Sequence, residues 1–77
     1  MKRTIIGIRL ANRQNEAALL QDILTRYGCC IKTRIGLHEV SLDACAAGGI
    51  ILLEVIKKEE DLLKELTGKF EVQTMQF

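Results

Sequence analysis

Seventy-seven residues are expected to make one domain, and a chain of that size buries only about 60–65% of the surface its unfolded form exposes. A hydrophobic fraction of 48% argues against disorder. Eleven basic and ten acidic residues leave a formal charge of +1, and aromatics are 4% with no Trp, so neither the phosphate-binding footprint nor the base-stacking surface of a direct nucleic-acid binder is evident.

The first strand is read over Arg3–Leu10. Thr4, Ile6, Ile8 and Leu10 alternate with Ile5, Gly7 and Arg9, and the first set is expected to face helices. Gly7 weakens a strand unless something approaches closely there. It is either a tolerated glycine or a point of close packing against a neighbouring subunit. The run to Leu10 carries no small-residue cleavage site, so no signal peptide is read and the expected compartment is the cytoplasm.

Asn12 suits a helix N-cap, and Glu16 suits the positive end of the helix dipole. Ala17, Leu20, Leu24 and Tyr27 recur at helical spacing, widened by Leu19 and Ile23. A helix is predicted over Gln14–Tyr27, with Gly28 as its left-handed C-cap. The second strand is predicted over Cys29–Leu37. Cys29, Ile31, Thr33, Ile35 and Leu37 would point one way. Cys30, Lys32, Arg34 and Gly36 would point the other, with the basic pair away from the helices and one of them meeting Glu54 across strands. Three cysteines, two of them adjacent, do not make a disulfide framework. Cys29 is expected to be buried as a small hydrophobe, leaving Cys30, near Lys32, as the more reactive thiol.

His38 to Gly48 has no period and is read as one long loop, of the kind that carries function. Gly49–Ile56 follows as a central strand, because both of its alternating sets are apolar apart from Glu54. It is too short for a membrane span, which needs about 20 residues, so no membrane partner is expected. Glu59, Glu60 and Asp61 open a second helix at its dipole-favoured end. Leu62, Leu63 and Leu66 bury it, and Gly68 stops it. Phe70–Phe77 closes the chain as a fourth strand.

The order strand–helix–strand–strand–helix–strand predicts an α+β, ferredoxin-like βαββαβ sandwich: a four-stranded antiparallel sheet with two helices on one face. The first and third strands are then central. The uncovered face would present Ile5, Gly7, Ile50, Leu52, Ile56 and Met75, with Phe77 beside them. A contiguous apolar patch of that kind marks an interface, and a homo-oligomer, a dimer or a tetramer, is expected to cover it.

Three segments carry a family likeness: Gly7-Ile8-Arg9-Leu10-Ala11-Asn12-Arg13 at the first strand and helix start, Arg34-Ile35-Gly36-Leu37 at the end of the second strand, and Leu66-Thr67-Gly68-Lys69 at the end of the second helix. The chain resembles the small iron-only hydrogenase system regulators, which have an ACT-like ferredoxin fold related to the C-terminal domain of the nickel-responsive regulator. The resemblance implies a stand-alone regulatory or sensing domain, cytoplasmic and oligomeric. The family's link after the second strand is shorter than Val40–Gly48 here.

His38, Glu39 and Cys45 share the long loop and are the candidate ligand-binding residues. Imidazole, carboxylate and thiolate suit a transition metal, with His38 and Cys45 as the candidate metal ligands and symmetry mates completing the set. They are equally readable as ordinary loop polar residues with an incidental thiol. Catalysis is not expected: the sequence has no glycine-rich phosphate loop, no paired carboxylates at a predicted cleft, and no nucleophile with a nearby orienting base. The expected function is therefore an oligomeric sensor binding a small ligand or a metal between subunits, acting through a regulatory protein partner if it controls transcription. The alternative is a protein-interaction or assembly module with no ligand of its own, using the open face or the free edge of the second strand.

Overall fold

The computed structural model of the chain describes residues 3–11, 16–40 and 45–77, without the side chains of 38–40 and 45–48. Its elements are β1 (Thr4–Leu10), α1 (Glu16–Arg26), β2 (Ile31–Val40), β3 (Cys45–Val55), α2 (Glu59–Thr67) and β4 (Glu71–Gln76). The four strands form one antiparallel sheet in the order β2-β3-β1-β4. This is the ferredoxin-like arrangement, with β1 and β3 central.

Alternation in β1 divides the sheet cleanly. Ile6 and Ile8 are fully buried together with Leu53 of β3, and Val55 of the same strand is buried beside them. They pack with Leu20, Ile23 and Leu24 of α1, with Leu62 and Leu66 of α2, and with Phe70. Leu19 and Ala17 of the predicted helical stripe are exposed instead. The first helix is held at its start by Glu16, whose carboxylate accepts a hydrogen bond from the Ala11 N–H at 2.8 Å. The Asn12 cap and the Gln14 start lie outside the described residues.

Helix α2 begins unusually. Lys58, its N-cap, has φ 56° and caps nothing with its side chain. The left-handed region crowds a Cβ against the following carbonyl and costs roughly 1–2 kcal/mol. Glu59, Glu60 and Asp61 in the first turn supply the negative charge that the uncapped helix end favours.

Two expectations for the segment after α1 are overturned. Gly28–Cys30 is a single 3-10 turn, not the start of a strand, and Gly28 does not take a left-handed conformation. Successive residues of such a turn rotate by about 120° rather than alternating. Cys30 consequently falls inward and is buried, while Cys29 is exposed, the reverse of the sequence reading. The turn is pinned on both sides: the Cys30 N–H donates to the Tyr27 carbonyl at 2.9 Å, and the Cys30 carbonyl accepts from the Ile56 N–H at 2.8 Å.

The second strand also changes phase. Ile31 pairs with Val55 and Thr33 with Glu54, so Lys32 is an extra residue opposite no partner of its own. A bulge of this kind exchanges the two faces for everything that follows. Ile31 packs against the core. Ile35 and Leu37, expected under the helices, lie on the open face at 49% and 48% exposure. Arg34, expected on the open face, sits opposite buried Leu53 and donates from Nη1 to Gln21 Oε1 of α1 at 2.8 Å.

The predicted long loop is likewise a correction. β2 runs on to Val40 and β3 begins at Cys45, with Val40 and Cys45 paired and a second register shift between His38 and Val40. Strand pairing satisfies the backbone groups that a loop would leave to solvent. β1 reaches only as far as Gly49 of β3, so the remainder of β2 and β3 extends past it as a two-stranded ribbon.

Candidate functional site

The register places the open face on a grid of three rows, read from β2 across β3 and β1 to β4. Leu37, Ile50, Arg9 and Glu71 form one row, Ile35, Leu52, Gly7 and Gln73 the next, and Thr33, Glu54, Ile5 and Met75 the third. Apolar side chains run diagonally through this grid, from Leu37 and Ile35 through Leu52 to Ile5 and Met75. Ile50 is 41% exposed and Met75 53%. Phe77 and Ile56, beyond the ends of their strands, are more exposed still. Five of the six residues expected on this surface, Ile5, Gly7, Ile50, Leu52 and Met75, lie on this grid and are joined by Ile35 and Leu37, while Ile56 lies beyond the end of β3. The strand pattern gave no sign of Ile35 and Leu37 here, because Lys32 looks like any other strand residue.

Polar residues occupy the two off-diagonal corners, and the corners differ. At one, Arg3 closes on Glu54 through two hydrogen bonds, Nε to Oε2 at 2.8 Å and Nη2 to Oε1 at 2.9 Å. Neither Lys32 nor Arg34 is the hydrogen-bond partner that the sequence suggested. The Arg3 hydrogen bonds, and then its charge with that of Lys32, hold the Glu54 carboxyl below the usual carboxylate range against the opposing effect of desolvation. At the other corner Arg9 stands directly across from Glu71. Among the described residues Arg9 makes no hydrogen bond and no ion pair, whereas Arg3, Arg26 and Arg34 are each engaged.

Beside Arg9 the face dips into a trough of about 360 Å³. Gly7 makes the dip, since no side chain fills the middle of β1 there. Leu52 leans over it; a Cβ built on Gly7 would lie 3.5 Å from Leu52 Cδ2 and 3.8 Å from the Gln73 carbonyl oxygen. Those are ordinary contacts, so nothing inside the chain compels a glycine. Ile50, Leu37 and Met75 wall the trough, and Arg9, Glu71 and Gln73 form its polar rim. A second depression of about 440 Å³ runs along α2 from Glu60 to Gly68. Leu63 is its one large apolar side chain.

The helical side of the molecule carries a second polar cluster. Arg26 Nη2 donates to Glu65 Oε1 at 2.8 Å, bridging α1 to α2, with Asp22 3.8 Å from Arg26 Nε. The Tyr27 hydroxyl faces Glu65; Tyr27 and then Arg26 hold the Glu65 carboxyl below its usual range, while Glu65, with burial, raises the Tyr27 phenol against the opposing charge of Arg26. Each of these residues is satisfied by the others, which makes the cluster a brace between helices.

The candidate ligand residues stand differently from the sequence expectation. His38 and Glu39 belong to β2 and Cys45 to β3, on the two strands of one ribbon rather than in one loop. His38 pairs with Gly49, and Cys45 with Val40. Their side chains lie outside the described residues, as does any geometry for a metal. Among the described residues no group of three His, Cys, Asp or Glu could hold a metal ion, and no helix is long and apolar enough to cross a membrane.

No family model matches the chain, and no curated protein matches it. Among solved structures it is similar to the uncharacterized protein TM1266 from Thermotoga maritima, at 20% identity over 100% of this chain and 99% of that one, with a TM-score of 0.73. At that identity the likeness is one of fold: the whole βαββαβ unit, end to end.

Proposed function

We propose that the chain is a regulatory or sensing domain that works as a homo-oligomer, with the open face of its sheet as the seam between copies. The observation that carries this reading is the diagonal of exposed aliphatic side chains, Leu37, Ile35, Ile50 and Met75, on a face that no helix covers. Surface is in excess too. The chain exposes 5662 Å², against roughly 4,700 Å² for a compact protein of its mass. Stable interfaces remove about 800 Å² per partner. The resemblance to iron-only hydrogenase system regulators supports a cytoplasmic regulatory role with ligand held between subunits. His38, Glu39 and Cys45 remain the proposed ligand-binding group, with His38 and Cys45 as the metal ligands, and no catalytic step is assigned.

Sedimentation equilibrium tests the seam. The expected result is a dimer or tetramer that dissociates on dilution and on substitution of Ile35 and Leu37 by Glu. A monomer at every concentration would overturn it. Metal content of the purified protein, before and after His38→Ala with Cys45→Ala, tests the metal group; equal content in both would remove those residues. A second reading, an assembly module without a ligand, is favoured by the position of β2, which leaves one edge of a ten-residue strand unpaired. A partner that co-purifies at fixed stoichiometry and protects the β2 amides from hydrogen exchange would select it.

A further inference from the structure

We infer that the trough at Gly7 binds a small aliphatic monocarboxylate, its hydrocarbon body over Gly7 and Leu52 and its carboxylate on the Arg9 guanidinium. Three observations converge. The trough, at about 360 Å³, falls at the small end of the 300–1,000 Å³ of ligand pockets, and its apolar floor with a few polar groups at one side is their usual build. Arg9 is the described arginine without a partner, while Glu54 and Glu65 draw in Arg3 and Arg26. A guanidinium is a rigid fork matched to a carboxylate. Finally, Gly7 is not required by anything packed inside the chain, so the space it leaves is available from outside.

The rim also sets the charge of the ligand. Glu71 lies directly opposite Arg9, so the pair sums to zero. A dianion such as a phosphate monoester would meet one cation and one repelling carboxylate. A monoanion needs only the one fork, and Gln73 on the same strand as Glu71 can donate to its second oxygen. Leu37, Ile50 and Met75 supply walls for an alkyl chain but no further donor from their side chains.

This assignment deepens the sensing reading and rests on the same face, where a second copy would roof the trough. Its test separates the two. Hexanoate, hexanamide and hexylamine are titrated into the full chain, followed by methyl NMR shifts, with sedimentation of the same samples. Hexanoate is expected to move the Ile50, Leu52 and Met75 methyls. Its dissociation constant should rise about tenfold or more in Arg9→Gln, the scale of a lost charge-assisted hydrogen bond. Gly7→Val, which fills the trough and leaves Arg9 in place, should abolish the shifts. Equal binding of hexanoate and hexanamide, indifference to Arg9→Gln, or shifts confined elsewhere would overturn the inference. An oligomer that ignores hexanoate would overturn it while leaving the seam standing. A monomer that binds hexanoate through Arg9 would uphold it while removing the seam.

Discussion

Leu53 and Leu52 are neighbours on β3, yet the first is fully buried beneath α1 and α2 and the second borders an open trough. The same contrast separates Ile6 from Ile5 and Val72 from Met75. One side of the sheet is closed by the chain's own helices, and the other is left to something else. Hydrophobic residues on the two sides are of one kind, so residue type does not distinguish them; coverage does. An aliphatic side chain under the helices should contribute to folding of a single copy, and one on the open side to association or binding.

The sharpest way to break that contrast is to truncate one leucine on each side. Leu53→Ala removes a fully buried side chain and should cost about 2–5 kcal/mol, read by urea unfolding at low protein concentration. For so small a chain that approaches global unfolding. Leu52→Ala should cost far less under the same conditions and should show its effect only where copies associate. Comparable losses from both would mean that the open face is part of the folding core.

Replacing Ile35 and Leu37 by Glu comes next. Both are about half exposed, so the fold should survive with unchanged far-UV circular dichroism. The melting temperature should lose its dependence on protein concentration, which is the mark of linked association.

Smaller effects test the backbone. Lys58→Gly should stabilise the chain by about 1 kcal/mol, because glycine accepts the positive φ without strain. Gly7→Ala is more informative about the two faces. In a free chain the added methyl meets only ordinary contacts, and lost unfolded-state freedom should stabilise by about 0.4–1 kcal/mol. If a second copy packs on Gly7, the same methyl should weaken association, so stability against dilution would fall while that of the monomer rose.

Least in size is the response to acid. The Arg3 hydrogen bonds lower the Glu54 pKa in the folded chain, so the contribution is complete above the ordinary carboxylate value, about 4.3, and is lost as pH falls through the lowered one. Glu65 follows the same sign through Tyr27 and Arg26. Unfolding midpoints of Glu54→Gln and the parent chain should therefore converge at low pH. A gap that persists unchanged into strong acid would remove the ion pair as its cause.

Periodicity and element order were enough to read the sandwich, its central pair of strands and most of its open face. Alternation reports a face directly when a strand is regular, as β1 and β4 are. It failed in β2 because a bulge has no residue signature when the extra residue is a lysine. That one insertion moved Ile35 and Leu37 outward and brought Arg34 to Gln21. It failed again at Gly28–Cys30, where a 3-10 turn replaced the expected extended start. His38–Val40 and Cys45–Gly48 differ from the loop expectation for another reason: small and polar residues suggested a loop, while the backbone hydrogen bonds of paired strands need no apolar pattern; residues 41–44 lie outside the described residues. Arg9 was legible only as a residue of the outer face. Its want of a partner emerges when every neighbouring carboxylate has been placed.

The lysine bulge has one more consequence, and it concerns growth. A bare strand at the rim of a sheet can template another, and repetition of that step yields fibrils without end. Lys32 breaks the flatness of β2 and sets a cation on it, so that rim is poorly suited to adding strands in register. Stickiness confined to a flat side is used up once a second layer lands on it. Growth of this chain through the β2 rim should therefore be disfavoured, even at concentrations where a sheet with a clean rim would precipitate.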